Sequence, residues 1–332
     1  MIKPFPHLEG IHAVAIPFVG FPDLITANVY ILGTEPLTLI DAGPQIKGSM
    51  DFLRHELDAI GFGFGDIEKI IVTHGHVDHF GLASKVRDAA GHPVKILAHP
   101  EEKWRMSTEN FRSGLWSQEA NDLMVMAGAP SDRIEQARKR FRNMTELAEP
   151  LDDVDFLDDG EELTASEILL KVIYTPGHTA GSICLFEPNS KVLFTGDTII
   201  KHISPNPIVE PRRKDLRDPF YQSLAAYLST LERLKCLEVD FVFPGHGEYL
   251  TDLRQIIQTH TTHHEERMDL IWMALKNEPS PIFKLINEVF PYIPEDHIFL
   301  GISEITSHLE FLMRQRRARV VNTGPPSIFC AV

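Results

Sequence analysis

At 332 residues, with 43% hydrophobic and 24% charged side chains, the chain can bury a large core and has the composition of an ordinary globular protein. Its 32 Lys and Arg against 47 Asp and Glu give a formal charge of −15, which disfavours sequence-independent binding to a nucleic acid backbone. No apolar run approaches the roughly 20 residues that cross a bilayer, residues 1–10 lack the apolar stretch of a signal peptide, and Cys184, Cys236 and Cys330 form no Cys-x-x-Cys pair. A cytoplasmic setting without membrane partner or disulfide framework is therefore expected.

Residues 11–41 read as strands, with short β-rich runs at 13–16, 28–32 and 37–40 punctuated by Gly and Pro. Residues 46–60 place Ile46, Met50, Leu53, Leu57 and Ile60 on one helical face ahead of Gly61. The pattern predicts a buried strand over 67–73, a helix over 80–90 ended by Gly91, and a strand over 94–98. Residues 101–147 carry no strand signal and form an amphipathic helical insertion, and the acidic stretch 149–162 reads as a solvated connection. Strands return at 168–174, 182–187 and 191–196, before an irregular segment rich in proline and arginine at 200–219. A helix over 220–236 and a strand over 240–243 follow. From about residue 252 the reading is helical with a short β-wing near 317–322. The expected division is a catalytic domain over 1–255 and a small helical domain over 256–332.

Sixteen histidines is a telling count for the residue that most often binds metals. The run Thr73-His74-Gly75-His76-Val77-Asp78-His79 puts three imidazoles and a carboxylate within six residues, directly after a strand. Such nitrogen and oxygen donors suit Zn²⁺, Mn²⁺ or Fe²⁺. The four side chains converge only if the chain turns sharply, and Gly75 is expected to supply the backbone freedom. Three further pieces also follow strands: Thr175-Pro176-Gly177-His178-Thr179, Thr195-Gly196-Asp197-Thr198 and Pro244-Gly245-His246-Gly247. In each, a glycine precedes one His or Asp. Any of them alone is an ordinary loop; in this order, with the first cluster, they point to a metal centre.

These motifs, with Leu39-Ile40-Asp41-Ala42-Gly43, resemble those of the metallo-β-lactamase superfamily over roughly residues 10–250. The resemblance implies an α/β fold, an αβ/βα sandwich with metals at one edge, here followed by a small helical, winged-helix-like domain. It implies two divalent ions, zinc first among the candidates and Mn²⁺ or Fe²⁺ after it. One would be held by His74, His76 and His178, the other by Asp78, His79 and His246, with Asp197 bridging the two. Asp41 would stand behind the ligands and orient them. Such a pair of ions makes a bridging water a hydroxide nucleophile at neutral pH, with Asp78 both a ligand and the residue that orients it.

Departures from relatives narrow the branch. Asp197 stands where common β-lactamases carry cysteine, and His76 where the flavodiiron branch carries glutamate. The Gly-Arg-Thr-Asp stretch usual in persulfide dioxygenases is replaced by Ile199-Ile200-Lys201-His202. Residues 73–81 and 194–198 are similar to glyoxalase II, a glutathione thioesterase. Residues 260–320 resemble the tail of the β-lactamase-like-protein-2 group, some members of which cut single-stranded RNA, through His260, Arg267, His308, Leu309 and Leu312. The expected activity is hydrolysis of a thioester or other activated acyl compound of coenzyme A or glutathione type. Cleavage of single-stranded RNA and a mononuclear iron persulfide dioxygenase are the alternatives.

Arg138, Lys139, Arg140 and Arg142 cluster at the end of the insertion, and Arg212, Arg213, Lys214 and Arg217 in the 200–219 segment. Both segments are expected to overhang the site, which points to a small anionic substrate, with nucleic acid as the alternative partner. His99, His202, Arg212 and Arg213 are the candidate substrate contacts. His260, His263 and His264 are expected at a surface or interdomain contact rather than as ligands. Trp104, Trp116, Met124 and Met126 read as packing residues that line an apolar pocket or a homodimer contact.

Overall fold

Alternation along the strands decides the layers, because successive side chains leave opposite faces of a sheet. The computed structural model describes residues 6–21, 24–201 and 203–332. One sheet runs in the order β1 (Ile11–Phe21), β2 (Leu24–Leu32), β3 (Leu37–Ile40), β4 (Ile67–Ile71), β5 (Lys95–Ala98) and β6 (Asp155–Phe156). The first three strands are antiparallel neighbours; from β3 onward the pairs are parallel. Parallel neighbours need crossovers, and α1 (Ser49–Ala59), α2 (Val77–Phe80) and α3 (Ala83–Ala90) lie in them. In β2, Val29 and Ile31 pack with Leu53, Leu57 and Val86 of these helices, whereas Tyr30 and Leu32 face the second sheet.

That second sheet runs β11-β10-β9-β8-β7, built from β7 (Glu162–Ala165), β8 (Ile168–Tyr174), β9 (Ile183–Glu187), β10 (Val192–Gly196) and β11 (Phe241–Pro244). Leu170, Val172, Leu185, Phe194 and Phe243 close the layer between the sheets. Its outer face, Ile173, Cys184, Leu193 and Val242, is covered by α8 (Ser223–Leu234) and the start of α9 (Leu253–Asn277). Helix, sheet, sheet and helix make the αβ/βα sandwich.

The expected insertion is α4 (Lys103–Met106), α5 (Thr108–Arg112), α6 (Gln118–Ala127) and α7 (Ser131–Met144). Beyond α9 come α10 (Ile282–Val289), α11 (Ile298–Arg314) and the hairpin β12 (Ala318–Asn322) with β13 (Ile328–Ala331). Insertion and tail share one core: Trp116, Met124 and Ala137 pack with Ile271, Leu285, Phe299, Ile305 and Leu309. Among the described residues no helix is long and apolar enough to cross a membrane.

Three local readings shift. The helix expected from residue 46 begins at Ser49, because Gly48 before it adopts φ 89°. The strand expected through residue 73 ends at Ile71, where the histidine loop leaves the sheet. The acidic connection contains β6, only two residues long and exposed, and ends in β7. β6 is too short to show a hydrophobic period, and β7 turns only Leu163 and Ala165 inward, too few to stand out beside an acidic stretch.

Candidate metal centre

Asp41, the 73–79 loop, His178, Asp197 and His246 follow β3, β4, β8, β10 and β11 respectively. The ligand atoms of His74, His76, His178 and Asp197 lie within 4.8 Å of one another, as do those of Asp78, His79 and His246. Asp197 reaches both groups. Its Oδ2 is 3.6 Å from His178 Nε2 and 3.4 Å from His246 Nε2, and its Oδ1 is 3.4 Å from His79 Nε2.

Four of the five rings are oriented from behind. His79 Nδ1 donates to Asp41 Oδ2 at 2.7 Å, His178 Nδ1 to the Asn206 carbonyl at 3.1 Å, and His246 Nδ1 to the Thr26 carbonyl at 2.6 Å. Thr73 gives Asp41 both its N–H and its hydroxyl at 2.8 Å, so its oxygen is left to accept from His74 Nδ1 at 3.2 Å. With these protons facing outward, the inward nitrogens present lone pairs. Those lone pairs crowd together: His74 Nε2 and His178 Nε2 stand 2.9 and 3.1 Å from His76 Nδ1, and His79 Nε2 stands 3.2 Å from His246 Nε2. Asp197 Oδ1 is buried without a hydrogen-bond partner. Convergent lone pairs and an orphaned carboxylate oxygen are what a cation satisfies, so the donor set fits divalent metal ions.

The electrostatics agree. Burial, and then neighbouring imidazoles, hold His74 and His76 well below the usual histidine range, so both are neutral donors. Burial, the largest single influence, pushes His79 and His246 the same way, but the carboxylates together outweigh it and raise both, Asp197 with Asp41 at His79 and Asp197 with Asp78 at His246. Asp197, although burial opposes it, is held well below the carboxylate range by His246 and His79. The site favours positive charge.

Gly75 does its work differently from the expectation. It is not among the glycines with positive φ; instead a Cβ there would meet Glu102 Oε2 at 2.7 Å and Arg105 Cβ at 2.9 Å. Gly245 is similar, since its Cβ would lie 2.5 Å from both Asp197 Oδ1 and His79 Cε1. These positions need the absence of a side chain.

Some residues that build the site gave no signal in the sequence. Asn28 Nδ2 and Tyr30 Oη donate to the Pro244 carbonyl at 2.9 and 2.6 Å, which pins the His246 loop across the two sheets. Glu102, in a turn after β5, is buried beneath the His76 and His178 loops. Only long-range pairing reveals either.

The candidate substrate contacts separate. Asp78 opens into a cleft of about 450 Å³ also lined by Phe18, Val77, Lys139, Arg140 and Met144, so α7 overhangs the centre. His99 stacks on Tyr174 at 4.3 Å and lines another cleft with Asp158, Arg217 and Tyr221. Burial lowers His99 to about 4. Arg212 lies over the Trp104 ring at 4.3 Å and pairs with Asp215 at 2.8 Å. His202 and the Arg213 side chain fall outside the described residues. His260 and His264 are buried at the contact between α9 and the segment 200–204, with His260 Nε2 bonded to the Ile200 carbonyl at 3.0 Å and His264 Nε2 to Ser204 at 3.0 Å.

A two-sheet sandwich with clustered His and Asp ligands at one strand edge defines a metallo-hydrolase architecture. The chain belongs to the metallo-beta-lactamase superfamily, whose family model matches residues 22–246. It is similar to the probable metallo-hydrolase YqjP of Bacillus subtilis (strain 168), 29% identical over 306 residues that cover 92% of each chain. It is also similar to the beta-lactamase-like protein 2 homolog of Caenorhabditis elegans, 23% identical over 80% of this chain and 72% of that one. Among solved structures, a metallo-beta-lactamase family protein from Thermus thermophilus superposes with a TM-score of 0.82 at 25% identity, covering 98% of this chain and 99% of the other.

Proposed function

We propose that the chain hydrolyses a small activated acyl compound bearing an anionic group, with a thioester of coenzyme A or glutathione type as the leading case. The observation that carries this reading is the cleft at Asp78. Its volume of about 450 Å³ matches a small-molecule site. Phe18, Val77, Met144 and Leu147 give it an apolar wall suited to an acyl group, and Lys139 and Arg140 place cations beside that wall. Arg140 pairs with Asp296 at 2.7 Å, whereas Lys139 is exposed and has no ion pair among the described residues.

Three members of the second basic cluster are engaged within the chain, Arg217 with Asp158, Lys214 with Glu119 and Arg212 with Asp215. A nucleic acid track needs cations free to meet phosphates. This favours a small substrate over RNA.

Zinc is the metal we propose for the two ligand groups, since imidazoles and carboxylates without thiolate suit it. Such ions supply Lewis acidity and activate water at neutral pH. The chain contributes the rest. Asp78 both lines the cleft and lies 3.5 Å from His246 Nε2, so it is the carboxylate assigned to accept the proton of the attacking water. Asp41 fixes the His79 tautomer. No serine, threonine or cysteine is among the cleft residues described, which favours direct attack by water.

The test offers acyl-coenzyme A, acyl-glutathione and single-stranded RNA to zinc-, manganese- and iron-loaded protein, with Asp78→Ala as the control. Thioester cleavage, reduced at least about a hundredfold in the variant as for loss of a general base, is the expected result. RNA cleavage without thioester turnover would sink the acyl reading.

A further inference from the structure

We propose that Glu102 is a positioning residue for the first ligand group, holding the loops of His74, His76 and His178 in the one mutual arrangement in which their nitrogens converge. The proposal rests on the reading of these three histidines as ligands of one cation. Glu102 has 0% exposure. Its Oε2 accepts the Gly75 N–H at 2.8 Å, and its Oε1 accepts the Gly181 N–H and the Thr179 hydroxyl, each at 2.7 Å. Gly75 lies between His74 and His76, and Thr179 follows His178. One carboxylate therefore joins two ligand loops whose histidines stand 102 positions apart in sequence.

Both glycines belong to the same arrangement. A Cβ at Gly75 would meet Glu102 Oε2 at 2.7 Å, and one at Gly181 would meet Glu102 Oε1 at 2.7 Å. The loops close on Glu102 because neither carries a side chain at that point. The charge is balanced by Arg105, whose Nε lies 3.5 Å from Oε2. Arg105 Nη2 in turn meets Glu210 Oε2 at 2.6 Å. Glu210 lies in the same segment as Asn206, whose carbonyl orients His178. The network thus approaches His178 from two sides.

Every partner of Glu102 is a donor, so the site demands an acceptor at both oxygens. Glutamine fills the same volume but turns one acceptor into an NH₂ group, which would face either Gly75 N–H with Arg105 or Gly181 N–H with Thr179. A role confined to fold stability would lower the melting temperature and leave metal uptake by the folded protein unchanged. A positioning role predicts weaker binding at the first group alone.

Metal-stripped wild type, Glu102→Gln and Thr179→Val are titrated with Co²⁺, followed by calorimetry and by the visible absorption of bound cobalt, with thermal melts of each stripped protein. The wild type is expected to take up two ions. Glu102→Gln is expected to keep one tight ion and to bind the other about 10- to 100-fold more weakly, the usual effect of losing a partner behind a ligand, with a changed cobalt band. Thr179→Val, which removes one of the three bonds to the Glu102 carboxylate together with the Thr179–Ser182 hydroxyl contact, is expected to weaken the same ion about 2- to 10-fold. A folded Glu102→Gln protein with both affinities and the spectrum unchanged overturns the proposal, whatever its melting temperature. If that variant does not fold, unchanged binding by Thr179→Val overturns it. A wild type that takes up no cobalt overturns the metal reading and this proposal together, whereas unchanged variants beside a two-ion wild type leave the metal reading standing.

Discussion

At the scale of single residues the centre is governed by what each atom has left to offer. Asp41 accepts from Thr73 N–H, Thr73 Oγ1 and His79 Nδ1, and so fixes the tautomer of a ring more than thirty positions away. His178 and His246 are oriented by backbone carbonyls instead. The glycines beside them act by omission. Gly245→Ala would drive a methyl group to 2.5 Å from Asp197 Oδ1 and His79 Cε1, the contact between the two ligand groups. We expect the variant to fold at a cost of about 1–3 kcal/mol, as for overpacked interiors. Its metal content after dialysis, read by elemental analysis, should fall below that of the wild type; full retention of both ions would contradict this account of Gly245.

At the scale of elements, α7 shapes the cleft beside the candidate centre, and the proposed function makes it the helix that meets the substrate. Ile134, Ala137 and Phe141 turn inward to the core shared with the tail. The other face puts Gln136, Lys139, Arg140 and Asn143 at the cleft. The helix is held from the tail as well, through Arg133 with Glu295 and Arg140 with Asp296. Lys139 is therefore a cation on a fixed support. Lys139→Gln is expected to raise KM for an anionic thioester about two- to fivefold while kcat stays within a factor of about two, the range for one exposed charge. The effect should shrink as salt is added. An unchanged KM would remove Lys139 from substrate recognition.

Across the whole molecule, the tail is fastened to the sandwich by buried histidines. Ser204 Oγ, His264, His308 and the Glu304 carbonyl form a chain with contacts of 3.0, 3.1 and 2.7 Å. The two rings share one proton between His264 Nδ1 and His308 Nε2, so protonating both would set two N–H groups against each other. Burial, followed by the neighbouring histidine, holds His264 low; His308 is low from burial, and Arg267 and His263 add to both. His260, between Tyr227 and the Ile200 carbonyl, is lowered to about 4, with burial the main cause. A histidine whose folded-state pKa is depressed takes its proton first in the unfolded chain. Stability is therefore full above about pH 6.5 and is lost as the pH falls toward 4, at about 1.4 kcal/mol per pH unit for each such group. The melting temperature of stripped protein should drop between pH 7.5 and pH 5, and a flat profile would refute this role.

Local pattern was enough to reach the family, the sandwich and the ligand candidates. Strand and helix periods are local, and the motifs at residues 41, 73–79, 178, 197 and 246 each sit at the end of one strand where glycine marks the turn. The remainder depended on contacts between distant segments. Asp197 stands between two groups only because β10 and β11 pair in parallel, and Lys139 reaches the cleft only because insertion and tail bury one core. Glu102, Asn28 and Tyr30 look like ordinary residues in a turn and a strand. Their work consists of hydrogen bonds to loops 27 to 219 positions away, and no local pattern encodes contacts at that distance. What a side chain can offer is written in the sequence, and which atom it meets is settled when the layers close.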